Sequence, residues 1–149
     1  MADWQDYLGL MVSLTHTLEE LTKVEREKNG AASRGDLAGV EACMKWEQVL
    51  SLTLRGYDQK RDAMLAALDL RGVTLSQLES RCPEELQLET KQVVEELRRQ
   101  YELFQAASEV ARDTLECNLR AIERIQAVQA GDAAQAAEER KTHQTDFRA

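Results

Sequence analysis

Large apolar side chains recur along the chain at alternating intervals of three and four residues, the spacing that places them along one side of a helix. The first such run follows Asp3, a good N-cap residue. Its apolar positions are Tyr7, Met11, Leu14, Leu18 and Leu21. Asn29 and Gly30 are typical of a helix end. The pattern therefore predicts a first helix over residues 3–30 with a narrow seam of the coiled-coil kind.

A second helix is predicted over residues 36–71. Gly35 interrupts the preceding helix and Asp36 can cap the next one. Arg71 and Gly72 supply its C-terminal end, because glycine takes the left-handed conformation easily. The apolar stripe predicted for this helix comprises Leu37, Val40, Cys43, Met44, Trp46, Leu50, Leu54, Tyr57, Met64, Leu65 and Leu68.

The segment "RGVTLSQLESRCPEEL", residues 71–86, interrupts the helical pattern and contains the only proline of the chain. Thr74 and Gln77 have the spacing of a capping box, which predicts a short helical turn over 74–80. Pro83 suits the first turn of a new helix, where its missing N–H costs nothing. We therefore expect the chain to stop, form one apolar turn and restart in the opposite direction.

A third long helix is predicted over residues 83–130. Its seam comprises Leu97, Tyr101, Phe104, Ser108, Ala111, Leu115, Asn118, Ile122 and Ile125. Because this helix is longer than the second, we expect its far end to lack a full set of neighbours. The residues predicted to form an exposed partner-binding strip there are Leu115, Leu119, Ile122, Ile125 and Val128. Burial of the same residues within the bundle, or in a dimer, is the alternative.

Residues 131–149 are predicted to form a weakly ordered or mobile helical tail. Its alanine-rich side is too small to anchor a helix firmly. Phe147 is its only large apolar residue, and we include it among the candidate partner-binding residues.

Composition supports the helical pattern. Leucine occurs 20 times and isoleucine twice, and unbranched residues of this kind favour helix over strand. The fold class predicted is all-α, an elongated antiparallel hairpin or bundle of three long helices with coiled-coil-like packing. Residues 1–130 are expected to form a single domain.

The net charge of −8 argues against nucleic-acid binding, which needs a dense basic surface. No apolar run approaches the roughly 20 residues that span a membrane, so no membrane insertion is expected. The N-terminal segment carries acidic residues where a secretory signal carries basic ones, which favours a cytoplasmic location.

Catalytic chemistry finds little support in the sequence. Cys43, Cys82 and Cys117 lie far apart and are interpreted as reduced thiols. Neither His16 nor His143 has a glutamate three residues before it, as a di-metal carboxylate bundle requires. There is no glycine-rich phosphate loop and no nucleophile elbow. We therefore expect no enzymatic activity, no metal and no cofactor.

The order of these features resembles the FlgN-type flagellar export chaperones of bacterial type III secretion. A leucine-seam helix leads through "RGDLAGVEAC" into a helix containing "KWEQVLSL", and "LDLRGVTLSQL" is similar to the family's Gly-x-Thr-Leu-Ser-x-Leu turn. A Pro-Glu-Glu restart and one long final helix follow. The resemblance covers roughly residues 3–128, and "GVTLSQL" is its most specific part.

This resemblance implies a cytoplasmic chaperone of hook-associated proteins, which form the junction between flagellar hook and filament. Such a chaperone holds the amphipathic terminal helices of its cargo, prevents premature association and delivers the cargo to the export gate. The chain departs from the family at Ser108 and Ala111, where relatives often carry an Asn-x-x-Asn pair.

Two other functions are compatible with parts of the pattern. A structural coiled-coil protein, dimerising through the same seams without cargo, would show the same three-and-four spacing. A helical-bundle metalloenzyme would need ligand spacing that the sequence lacks.

Overall fold

The chain forms helices alone over the part that the structure describes. In this computed structural model the backbone is described for residues 3–148 and the side chains for residues 3–141. The four α-helices are α1 (Trp4–Ser33), α2 (Leu37–Ala67), α3 (Leu75–Arg81) and α4 (Gln87–Arg148), and a 3-10 turn covers Glu84–Leu86. No strand occurs among the described residues. The predicted all-α class is confirmed.

The chain divides into two compact units, Met1–Arg112 and Asp113–Ala149. The helix α4 contributes to both, with residues 87–112 in the first unit and 113–148 in the second. The tail that we predicted to be weakly ordered is helical as far as Arg148. Its mobility stays a prediction.

Residues from all four α-helices form the hydrophobic core of the first unit. Its fully buried members include Tyr7 and Met11 of α1, Leu78 of α3 and Val94 of α4. The remaining members are Trp4, Leu8, Leu14, Leu18, Leu65, Leu70, Cys82 and Leu97. The Trp4 indole N–H also donates a buried hydrogen bond of 3.0 Å to Thr90 Oγ1, which fixes the start of α1 against the start of α4.

The helix α1 confirms its predicted seam, because all five predicted positions are buried. Its predicted end at Gly30 was wrong by three residues. The Arg34 N–H still bonds to the Gly30 carbonyl, and the helix stops only where Gly35 adopts a left-handed φ of 71°. Asp36 then caps α2 as predicted, by accepting a 3.0 Å hydrogen bond from the Gly39 N–H.

The helices α1 and α2 pack as an antiparallel hairpin. Leu65, near the end of α2, shares the core with the start of α1, whereas Glu47 contacts Lys28 closer to the turn. Three predicted stripe positions of α2 were wrong, since Leu37, Met44 and Trp46 are 74%, 49% and 60% exposed. The neighbouring Glu47 faces α1 in place of Trp46.

The helix α2 ends at Ala67, earlier than the predicted residue 71. Asp69 takes a left-handed φ of 60°, and the Leu70 N–H bonds to the Leu65 carbonyl at 2.8 Å. The Thr74–Gln77 capping box that we predicted is present at α3, with the Thr74 N–H donating to Gln77 Oε1 at 3.1 Å. The connection therefore consists of the end of α2, a turn in which Asp69 and Gly72 both have a positive φ, and the short capped helix α3.

Candidate partner-binding face on α4

Five of the six predicted partner-binding residues, from Leu115 to Val128, lie in the second unit, along the described part of α4. Four of them are large and exposed, with exposed fractions of 56% for Leu119, 48% for Ile122, 57% for Ile125 and 63% for Val128. Leu115 is half-buried. We call these five residues the α4 face. Every residue from 119 to 135 is exposed among the described residues, so the part of the face from Leu119 to Val128 is open to solvent there.

The α4 face is wide as well as exposed. Leu119 and Val128 are nine residues apart, which at 3.6 residues per turn places them ~180° apart around the helix axis. Ile122 and Ile125 lie between them, on either side of the midline. The face therefore covers about half of the helix circumference.

Charged side chains are confined to the other side of this helix segment. They are Glu116, Arg120, Glu123 and Arg124. Arg120 Nη2 lies 3.6 Å from Glu116 Oε2, a surface ion pair one turn apart. The positions that flank the midline of the face are uncharged, among them Ala121 and Gln126. The segment is thus amphipathic, with an uncharged side in water on which the polar Asn118 and Gln126 lie among the apolar residues.

The other sequence positions singled out above are Phe147, Ser108 and Ala111. The side chain of Phe147 lies outside the described residues. Ala111 is completely buried and Ser108 is half-buried, both in the first unit. Because no side-chain surface of Ala111 is accessible, this position contributes to packing and offers nothing for a partner to contact.

Sequence reasoning missed a buried charge cluster where α1 packs on α2. Lys28 Nζ lies 3.1 Å from Glu25 Oε2 and 2.5 Å from Glu47 Oε1. The side chains of Glu25, Lys28 and Glu47 are 5%, 12% and 23% exposed. The sequence gives no sign that a charged residue in an otherwise polar stretch will be buried. The cluster is therefore recognised only from the packing of the two helices.

Burial raises the pKa of Glu25, and the nearby charge of Glu47 raises it further against the opposing effect of Lys28. Burial alone would lower the pKa of Lys28, but its hydrogen bonds to Glu47 and Glu25 outweigh that effect and raise it. Lys28 therefore stays charged, and two carboxylates share one ammonium group.

Sequence reasoning also missed an open apolar cavity in the first unit. It has a volume of about 240 Å³ and is lined by Leu14, Leu18, Leu54, Asp58, Arg61, Leu75, Leu97, Arg98, Tyr101 and Phe104. Arg98 Nη2 donates to Ser76 Oγ at 2.7 Å, whereas Arg61 Nε is buried without a hydrogen-bond partner among the described residues. The spacing of the leucines that line the cavity predicted that they are buried. It could not predict that a cavity remains between them.

A second exposed apolar group lies on α2. Trp46, Val49 and Leu52 are 60%, 55% and 65% exposed and follow one another at intervals of three residues. The sequence analysis assigned only Trp46 of these three to the buried stripe, and it did not single out Val49 or Leu52.

Metal binding and thiol reactivity are two further properties of the described residues. No group of three or more His, Cys, Asp or Glu side chains in the described part of the chain could hold a metal ion. Cys43 and Cys82 are buried free thiols and Cys117 is an exposed one. Burial raises the pKa of the Cys43 thiol, and the carboxylates of Glu27 and Glu47 add to the effect, so this thiol is protonated and weakly reactive.

Comparison with known proteins adds no relative. No protein-family model matches the chain, and no curated protein or solved structure matches it significantly. Over the described residues, no helix combines the length and apolar character needed to cross a membrane.

Proposed function

We propose that the protein is a cytoplasmic export chaperone of the flagellar type III system, similar to the FlgN-type family. In this proposal the α4 face binds an amphipathic terminal helix of a hook-associated protein, prevents its premature assembly and presents it to the export gate. In the same proposal α1, α2 and residues 87–112 of α4 pack as an antiparallel bundle, and the α4 face lies further along α4 in the second unit. The protein has no catalytic role in the proposal.

The observation that carries the proposal is the exposure of Leu119, Ile122, Ile125 and Val128 in one helix segment. Exposed apolar surface of this kind is a typical site for an amphipathic helix laid alongside. A terminal helix of an assembly subunit has the complementary property, because its apolar side is unsatisfied until the subunit polymerises. The net charge of −8 favours solubility of the chaperone while its face is open.

The "GVTLSQL" segment, on which the resemblance to the family mainly rests, forms an ordered turn. The sequence similarity is at residues 72–78, and there α3 is capped by Thr74 and Gln77 and anchored by the fully buried Leu78. Each of these three residues therefore has a structural reason to be present in a turn that reverses the chain between α2 and α4.

The test is co-purification from cells that assemble flagella. The double variant Leu119→Asp and Ile122→Asp places two carboxylates on the α4 face, whereas the control Ala127→Asp places one on the opposite, exposed side. We expect the wild-type chain and the control to retain a hook-associated protein and the double variant to lose it. Helical circular dichroism should be nearly unchanged in all three chains. Retention of cargo by the folded double variant would contradict the proposal.

The exposed α4 face also favours a second candidate, a coiled-coil scaffold in which two copies pair through this surface. Measurement of the mass in solution, alone and with hook-associated termini, separates the two. A tight dimer that does not bind these termini would support the scaffold and contradict the chaperone.

A further inference from the structure

We propose that the open cavity of the first unit binds a small amphipathic carboxylate, with an apolar body of about six carbon atoms in the cavity and its carboxylate on Arg61. This inference goes beyond the proposed function, because the ligand is not cargo and the cavity lies in the unit that does not contain the α4 face. It is carried by the volume of the cavity, by a buried nitrogen of Arg61 and by the charges of the lining residues.

The lining of the cavity is mainly apolar and comes from all four α-helices. Seven of its ten residues are leucine, tyrosine or phenylalanine, and three of these, Leu14, Leu18 and Leu97, belong to the core. Such a composition with a few polar groups is typical of a small-molecule site. The volume of about 240 Å³ gives room for roughly eight non-hydrogen atoms, at the ~30 Å³ that one water molecule takes up in the liquid. A carboxylate with about six carbon atoms has this size.

Arg61 supplies the polar group that selects the ligand. Its side chain is half-buried, and its Nε is shielded from solvent without a hydrogen-bond partner among the described residues. A buried N–H donor that lacks an acceptor is unfavourable, so an acceptor brought by a ligand stabilises the complex. A carboxylate is the best match, because its two oxygens can accept two parallel hydrogen bonds from one guanidinium group.

The guanidinium group of Arg61 also lies close to the core. Burial raises the pKa of Tyr7, which is 1% exposed, and the positive charge of Arg61 acts in the opposite direction. A charge surrounded by bulk water would have little effect on a buried phenol. The charge of Arg61 therefore lies near apolar surroundings, where its attraction for an anion is strongest.

The charges of the lining favour an anion over a cation or a neutral ligand. Arg61 and Arg98 are its cations, and Asp58 is the one carboxylate among the described lining residues. Asp58 is exposed, so water and salt screen its charge more than that of the shielded Arg61 Nε. Arg98 donates to Ser76 Oγ at 2.7 Å and has further N–H groups. The lining is thus net positive in a chain whose net charge is −8.

The test is a titration of the full-length chain with sodium hexanoate, followed by NMR of the leucine methyl groups. We expect saturable shifts of the methyl signals of Leu14, Leu54 and Leu97. Two control probes separate the parts of the ligand, since 1-hexanol lacks the charge and acetate lacks the apolar body. Hexanoate should bind at least about tenfold more tightly than 1-hexanol, the effect of one hydrogen bond to a charged group. Acetate should leave these signals unchanged.

Three variants assign the binding to the cavity. Arg61→Met removes the guanidinium group and should lower the affinity for hexanoate about tenfold while 1-hexanol binds as before. Arg55→Met is the matched control, because Arg55 is an exposed arginine of the same helix outside the lining, and it should bind hexanoate like the wild-type chain. Leu54→Phe enlarges a lining side chain and should weaken both probes.

The inference is overturned if hexanoate gives no saturable shift at the lining leucines. Equal affinity for hexanoate and 1-hexanol in the wild-type chain would overturn it as well, and so would full hexanoate affinity in folded Arg61→Met. Should Arg61→Met fail to fold, the ratio of hexanoate to 1-hexanol affinity and the result for Leu54→Phe still decide. None of these measurements involves a hook-associated protein, so the proposed function succeeds or fails separately.

Discussion

The cluster of Glu25, Lys28 and Glu47 is the main polar feature in the packing of α1 on α2. Both carboxylates approach the same ammonium group, and the side chains of Glu25 and Lys28 are almost completely buried. Removal of one member of a buried ion pair is costly, because the remaining charge is left without compensation. Lys28 is the critical member, since it serves two carboxylates.

We predict that Lys28→Met lowers the free energy of unfolding by about 2–3 kcal/mol. This loss is at or below the low end of the range for a broken buried ion pair, because Glu47 keeps some contact with water. Urea unfolding followed by circular dichroism provides the measurement. The control Lys23→Met removes an exposed lysine of the same helix and should change stability by less than about 0.5 kcal/mol. Equal effects of the two variants would show that Lys28 does not stabilise the cluster.

The raised pKa of Glu25 predicts a pH dependence that distinguishes the wild-type chain from Glu25→Gln. A carboxyl group whose pKa is higher in the folded than in the unfolded chain binds its proton more readily when folded. Ionisation above the raised pKa therefore destabilises the fold. As the pH falls from 7.5 toward the ordinary glutamate pKa of about 4.3, the wild-type chain should gain stability relative to Glu25→Gln.

Urea unfolding of both chains at several pH values between 7.5 and 5 measures this difference. We expect the stability difference between Glu25→Gln and wild type to change in favour of the wild type as the pH decreases. A difference that stays constant, or that changes in the opposite direction, is incompatible with a raised pKa at Glu25.

At the level of elements, α3 depends on one side chain. This helix has seven residues, which is too short to be stable by itself, and Leu78 is its only buried residue. We predict that Leu78→Ala lowers the free energy of unfolding by about 3 kcal/mol, the range for a leucine deleted from a core. Thermal or urea unfolding is sufficient to measure it.

Leu88→Ala is the matched control for Leu78→Ala, because Leu88 is 70% exposed at the start of α4. Its effect should remain below about 0.5 kcal/mol. A comparable loss in both variants would mean that α3 is not anchored through Leu78.

The starts of the helices and the ends of α1 and α2 were predictable from the sequence to within four residues, because spacing, caps and the single proline agree on them. The seam of α1 was predictable for the same reason. The end of α4 was not predictable, since the helix predicted to end at residue 130 continues to Arg148. The exposure of Trp46 was not predictable in this way. Glu47, and not Trp46, lies at the contact with α1, where it forms an ion pair with Lys28 of that helix. Periodicity within one helix contains no information about such a partner.

The α4 face was only partly predictable. Leu97 and Ala111 are buried, whereas Ile122 and Ile125 are exposed, although the same alternation of three and four residues connects all of them. What distinguishes the two groups is whether other helices cover them, and that depends on the relative lengths of the helices. Once the exposure of these residues is known, the angular width of the face can be calculated from their spacing in the sequence.

At the level of the whole molecule, the two units differ in how they are stabilised. The first unit has a core drawn from four helices, whereas residues 119–135 of the second unit are exposed throughout. Helix that lacks tertiary contacts opens easily and exchanges its amide protons quickly. We therefore expect stability to come mainly from the first unit and propose that the second unit binds the partner.

Hydrogen–deuterium exchange of the full chain, alone and in complex with a hook-associated protein, tests this assignment most directly. In the free chain we predict fast exchange over residues 115–129 and slow exchange in the core of the first unit. In the complex, residues 115–129 should become strongly protected while the first unit changes little. Complex formation that leaves residues 115–129 in fast exchange and protects another surface would contradict the account.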